Sequence, residues 1–218
     1  MANSSAGFGF RSFGHSDGSA PTMGMSRYWV STADTFPHFT GDVVCMSTVT
    51  PGYISNYYNA ATGGAPLGVC AGFQYYSPTV GRVVWDKQIP ATPGGAGAPN
   101  SSVGAVAYVI DDPEMLFLAR VQSSQWNPLL IGNVVTLSTQ SGSLSSQGNT
   151  VTGLSVQTIN SSTIITTQSA SQPFTVVDVY SNYAPPGVDG TDNSNNYNIV
   201  VLRPNAWARR AGVTIAST

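Results

Sequence analysis

Two short stretches of the chain hold the residue types that hydrolytic chemistry needs. Gly14-His15-Ser16-Asp17-Gly18 spells the letters of a nucleophile elbow, with an imidazole and a hydroxyl side by side. An elbow presents its nucleophile from a sharp turn between a core strand and a helix, and neither pattern flanks these residues. A nucleophilic triad also needs a base held by a third group. The chain has two histidines, His15 and His38, and His38 follows Pro37 in a turn with dissimilar neighbours. Asp111, Asp112 and Glu114 form the one carboxylate cluster. Glycosidases set two carboxyls about 5–10 Å apart across a cleft, whereas neighbouring carboxyls around a proline cap a turn and face water. The expectation is a protein that is not an enzyme, with no catalytic residue assigned.

Metal and cofactor motifs fail on context in the same way. Val188-Asp189-Gly190-Thr191-Asp192-Asn193 matches half of a calcium loop but lacks the closing Glu. Gly94-Gly95-Ala96-Gly97 runs into Pro99 and not into a helix, so its amides have no phosphate to cradle. Cys45 and Cys70 lack zinc spacing. Each lies inside an apolar run, which reads as two buried thiols; a disulfide between them requires their strands to pair. No metal and no cofactor is expected.

The elements that must position all these residues are short apolar runs closed by Gly, Pro, Asn or Asp, the mark of strands. Val43 to Val49, Leu67 to Tyr76, Arg82 to Gln88, Val103 to Ile110, Met115 to Val121, Phe174 to Val179 and Tyr197 to Arg203 are the main ones. Arg27 to Thr32 comes before them and Ile131 to Leu137 between them. Leu67–Tyr76 and Arg82–Gln88 read as a hairpin through Ser77-Pro78-Thr79-Val80-Gly81. Thr50 to Pro66, the Pro/Gly stretch 90–102 and Tyr183 to Asn196 read as loops. Segment 138–172 is dominated by Ser, Thr, Gln and Gly, and within it 151–156 and 163–167 read as short exposed strands or an outward hairpin. The fold class is therefore all-β: a β-barrel or sandwich core over residues 27–205, an extended N-terminal arm over 1–26, long loops, and a C-terminal tail over 206–218.

Composition narrows the function. Only 8% of 218 residues are charged and the net charge is −2, against about 25% charged in an ordinary soluble domain. Eight Lys plus Arg cannot build a phosphate-neutralising stripe, so nucleic acid is not an expected partner. No apolar run is long enough to span a membrane, and the first residues show no signal-peptide h-region. A weakly charged surface associates readily, which suits a chain packed into an assembly. Phe8, Phe10 and Phe13 punctuate the Gly/Ser-rich arm, and tails without a docking role are poor in aromatics. Tyr53, Tyr57 and Tyr58 crowd one loop, where tyrosine offers contact area at small entropic cost. These six residues are the expected subunit or shell contacts.

The order of several motifs resembles a known family. Gly-Asp-Val-Val (41–44), Leu-Gly-Val-Cys-Ala-Gly-Phe-Gln-Tyr-Tyr (67–76), Trp85 and Val-Ile-Asp-Asp-Pro-Glu-Met-Leu-Phe-Leu (109–118) come first. Ile-Gly-Asn-Val-Val-Thr-Leu (131–137), Phe-Thr-Val-Val-Asp-Val-Tyr (174–180) and Asn-Ile-Val-Val-Leu-Arg-Pro-Asn (198–205) follow. Over residues 25–205 the chain is similar to the decoration, or cement, proteins of tailed-phage heads, with the weakest likeness in 138–172. The resemblance implies a β-rich subunit, a homotrimer, bound to the major capsid protein on the outer face of the virion head. Other virion parts, such as a minor head or tail protein, and a glycan-binding or hydrolytic spike using Tyr53, Tyr57, Tyr58 and Trp126 with the carboxylates Asp111, Asp112 and Glu114 are the alternatives.

Overall fold

The computed structural model describes residues 7–20, 24–30, 37–47, 52–56, 65–90, 104–122, 131–138, 148–160, 172–180, 196–205, 207 and 208. Among these residues every regular element is a strand, so the protein is all-β. In chain order the strands are β1 (Arg11–His15), β2 (Met25–Val30), β3 (His38–Phe39), β4 (Val43–Met46) and β5 (Tyr53–Asn56). Next come β6 (Pro66–Ser77), β7 (Arg82–Asp86), β8 (Gln88–Ile89), β9 (Ala105–Ile110) and β10 (Met115–Arg120). The last five are β11 (Val134–Val135), β12 (Gly148–Asn149), β13 (Leu154–Ser155), β14 (Phe174–Val179) and β15 (Ile199–Pro204).

Five strands close a barrel in the order β4-β5-β2-β9-β6, because the long β6 returns to pair with β4. Only β2 and β5 run parallel. Twelve residues let β6 serve three neighbours. Its first part pairs with β4, its middle with β9 across a bulge between Cys70 and Gly72, and its end with β7. The bulge bends the strand where the barrel must curve. Crowding at this seam dictates a glycine: a Cβ on Gly68 would lie 2.5 Å from the Ile110 carbonyl oxygen.

A second, five-stranded antiparallel sheet, β1-β10-β15-β14-β11, packs against one side of the barrel. The period-2 pleat divides the apolar residues between two cores. Val30, Val44, Ile54, Leu67, Cys70, Phe73, Ala107 and Val109 fill the barrel. Their neighbours Val43, Cys45, Val69 and Ile110 point outward and meet Phe117, Phe174, Val176, Val200 and Leu202 of the sheet. The runs ending at Ile110 and starting at Met115 are thus not a hairpin. The Asp111–Glu114 turn carries the chain from barrel to sheet.

The predicted boundaries shift for packing reasons. Within the arm expected over 1–26, Arg11–His15 is not a free extended segment: as β1 it is the edge strand of the sheet, paired with β10, and Phe10 is buried. The tail expected over 206–218 brings Trp207 into the core, where its ring meets Phe117 and Phe174 at 5.5 and 5.8 Å between centroids. Tyr53–Asn56, read as loop, is a barrel strand. Within 151–156, Leu154–Ser155 pairs with Gly148–Asn149 in a small hairpin, and Ser155, Gln157 and Ile159 are buried, not exposed. Residues 163–167 lie outside the described residues.

One turn ties the barrel to the arm. Thr40-Gly41 link β3 to β4, with the Asp42 amide donating to the Phe39 carbonyl at 3.1 Å and Gly41 at φ +93°. That is the third position of a type II turn, where a side chain is strained. The Gly41 carbonyl then accepts the Phe10 amide at 3.0 Å.

Candidate functional site

Pairing of β1 with β10 sets His15 opposite Met115 and so brings the two chemically suggestive stretches together. The triad does not form. His15 Nδ1 meets Asp17 at 2.8 Å and Nε2 meets Asp112 at 3.2 Å, so both ring nitrogens are engaged by carboxylates. Ser16 donates its hydroxyl to Glu114 at 2.5 Å and not to the imidazole. The hydrogen bond to Asp17 is the largest influence and raises the His15 pKa; burial opposes it, and Asp112 adds a further lift. Hydrogen bonds from Ser19, then His15, draw Asp17 down to about 2. The cluster is a clasp that fastens the end of β1 to the barrel-to-sheet turn. Asp111, in the same turn, accepts the Tyr28 hydroxyl at 2.6 Å.

His38 is fully buried beside Asp42. Burial pushes the Asp42 carboxyl up to about 6, against hydrogen bonds from Ser155 and the Phe39 amide and the charge of His38. Cys45 and Cys70 are free thiols. Although β4 and β6 pair, Cys45 faces the second sheet and Cys70 the barrel interior, so the pleat keeps them apart. Among the described residues no group of three or more His, Cys, Asp or Glu is placed to hold a metal. Asp189 and Asp192 lie outside the described residues.

The outer barrel face left bare by the second sheet is different in character. Strand register lines up Tyr53, Trp29, Val106, Gln74 and Trp85 in one row across β5, β2, β9, β6 and β7. Directly opposed residues share a face, so this row lies on one face, with Trp29 near one end and Trp85 at the other as exposed indoles. Trp29 is 55% exposed and Trp85 67%, with Met25 and Val83 also about half bare at 49% and 52%. Trp85 stacks on Tyr108 with centroids 5.0 Å apart and planes 24° from parallel, which fixes the indole on one face and leaves the other to solvent. Tyr108 is held by a 3.0 Å hydrogen bond from its hydroxyl to Gln74. Below Trp85 an open groove of about 710 Å³ runs over Ala71 and Gly72 to Val151 and Thr152 at the β12–β13 tip, edged by Asp86 and Lys87. A side chain at Gly72 would narrow its floor. Apolar patches of this kind mark interaction surfaces.

The expected contact residues distribute unevenly. Tyr53 joins the aromatic row. Phe13 is 45% exposed and meets Tyr180 edge-on at 5.7 Å. Phe8 is half-buried, with the guanidinium carbons of Arg11 and Arg120 at 4.9 and 5.3 Å from its ring centroid. Phe10 stacks on Phe174 at 4.9 Å inside the chain's own core and is unavailable to a neighbour. Tyr57, Tyr58 and Trp126 lie outside the described residues. Trp29 and Tyr108 were not singled out from sequence, because their exposure depends on which barrel face the second sheet covers. The available signal was weak: Val83 and Trp85 alternate with Arg82 and Asp86 the wrong way round for a strand whose polar side faces water.

The fold and surface together define an all-β protein with a closed five-stranded barrel, a packed antiparallel sheet and an exposed aromatic face. No protein-family model, curated protein or solved structure matches the chain.

Proposed function

We propose that the chain is a structural virion protein, a decoration subunit that binds the outer face of a tailed-phage head in many copies and stabilises it. The observation that carries this reading is the aromatic row from Tyr53 to Trp85. Exposed Trp and Tyr are the side chains that dominate protein–protein binding energy when a partner buries them. The motif order over residues 25–205 and the near absence of charge support the same conclusion. The partner is the major capsid protein, and the bound form is a homotrimer. Ligands that bind only the assembled state stabilise it by mass action, and a trimer multiplies modest single-site affinity by avidity.

The test is co-sedimentation of purified protein with phage heads that lack it. Wild type saturates at a fixed, high copy number per head. Trp29→Ala and Trp85→Ala each weaken binding at least about 30-fold, the scale of a hot spot of roughly 2 kcal/mol, with melting temperature preserved because both indoles are already exposed. Failure to bind heads, or only a few copies per particle, sinks the decoration reading and favours a minor head or tail component. A second reading draws on the groove beside Trp85, where a half-bare indole adjoins Asp86 and Lys87. That chemistry suits a glycan, and a glycan array probed with wild type and Trp85→Ala decides it.

A further inference from the structure

We infer an oxyanion-binding site at Arg120 on the outer face of the second sheet, independent of the docking face. Arg120 ends β10 and is only 6% exposed, yet its Nε and Nη1 have no hydrogen-bond partner among the described residues. Neither Arg120 nor Arg11 forms an ion pair among the described residues. Arg11 lies opposite Leu118, two residues before Arg120 on the same strand, so the pleat puts both cations on one face. Between them stands Phe8, with the two guanidinium carbons 4.9 and 5.3 Å from its ring centroid. The ring quadrupole attracts a cation, but it supplies no hydrogen-bond acceptor.

A buried guanidinium with open N–H groups is costly unless it is paired and hydrogen-bonded. Two cations brought to one ring, with no ion pair to a carboxylate among the described residues, raise that cost. An anion with several acceptor oxygens removes both penalties at once, and guanidinium geometry matches carboxylate and phosphate. Arg11 is exposed and is the solvent-facing member of the pair. The chemical class is a carboxylate or phosphate oxyanion, either free in solution or carried as an acidic side chain by a second copy of this chain.

The experiment uses the full chain in chloride buffer, titrated with inorganic phosphate or acetate at constant ionic strength, with melting temperature and sedimentation as readouts. A free anion raises the melting temperature saturably, by about 3–6 °C at tenfold excess over Kd. Arg120→Met abolishes the response and is at least as stable as wild type in chloride, since it removes the unpaired charge. Arg120→Lys keeps the charge without the guanidinium fork and responds several-fold more weakly. If the second copy supplies the acceptor, the added anions do nothing. Wild type then self-associates and melts higher with rising protein concentration, and Arg120→Met does neither. Indifference to anions and to concentration alike overturns the inference. So does a clear loss of stability for Arg120→Met in chloride, which would mean that the chain itself already satisfies the guanidinium.

Discussion

Asp42 offers the sharpest quantitative check on the packing. Its carboxyl is fully buried where the β3–β4 turn enters the barrel. Oδ2 accepts the Phe39 amide at 2.7 Å, while Oδ1 has no partner among the described residues. Burial lifts the folded pKa from 3.8 to about 6, so the folded chain retains a proton that the unfolded chain has released. The sign follows. The contribution of this group is fully present below pH 3.8, declines as pH rises, and is lost above about pH 6. Two pKa units at 1.36 kcal/mol each put the loss at about 3 kcal/mol. Asp42→Asn is neutral at every pH and keeps an acceptor for the Phe39 amide. Its own offset is pH-independent: a weaker hydrogen bond and an amide nitrogen placed where Oδ1 finds no partner. Urea unfolding of both proteins from about pH 4 to about pH 7 gives the difference in unfolding free energy, in which the titrations of His15 and Asp17 cancel. Wild type should lose about 3 kcal/mol relative to the variant over that range. A flat difference refutes the reasoning. A difference of opposite sign shows that Asp42 is ionised and held by its hydrogen bonds and His38, so that burial is not the dominant influence.

Three further outcomes test the core. Phe10→Ala empties a stacked position against Phe174 and should cost about 3–5 kcal/mol in chemical unfolding; a cost near zero would return the arm to a docking role. Deleting residues 1–25 likewise removes β1 and should lower the melting temperature, not merely affect binding. Cys45 and Cys70 should resist alkylation in native, mildly alkaline buffer and both react in strong denaturant. Cys70 is the more protected, because burial and then the nearby Asp42 push its thiol well above the usual range; mass spectrometry after labelling reads the outcome.

The positions of most strands were legible because apolar runs interrupted by Gly, Pro and Asp-Pro report local backbone preference. The 67–88 hairpin and the strands at 105–110, 115–120 and 174–179 fall within a residue or two of expectation. What escaped were elements whose character is set by neighbours distant in sequence. Tyr53–Asn56 has little strand signature of its own and becomes a strand by lying between β2 and β4. Ser155 and Gln157 look like exposed polar residues, yet Gln157 accepts the Val43 amide at 2.8 Å inside the core. The contact residues suffered most. Phe8, Phe10 and Phe13 are indistinguishable as letters, but the β1–β10 register buries one, half-buries one and leaves one exposed.

By itself the sequence determined the all-β class and the poverty of charge, because these depend on composition and on neighbours within a few residues. Tertiary structure alone decided which face of the barrel the second sheet would cover. That choice turned Val43, Cys45, Val69 and Ile110 into core and left Trp29 and Trp85 as surface. The pleat gives every strand two faces of equal geometric standing. Which of them meets protein and which meets water is settled by long-range packing that no local pattern encodes.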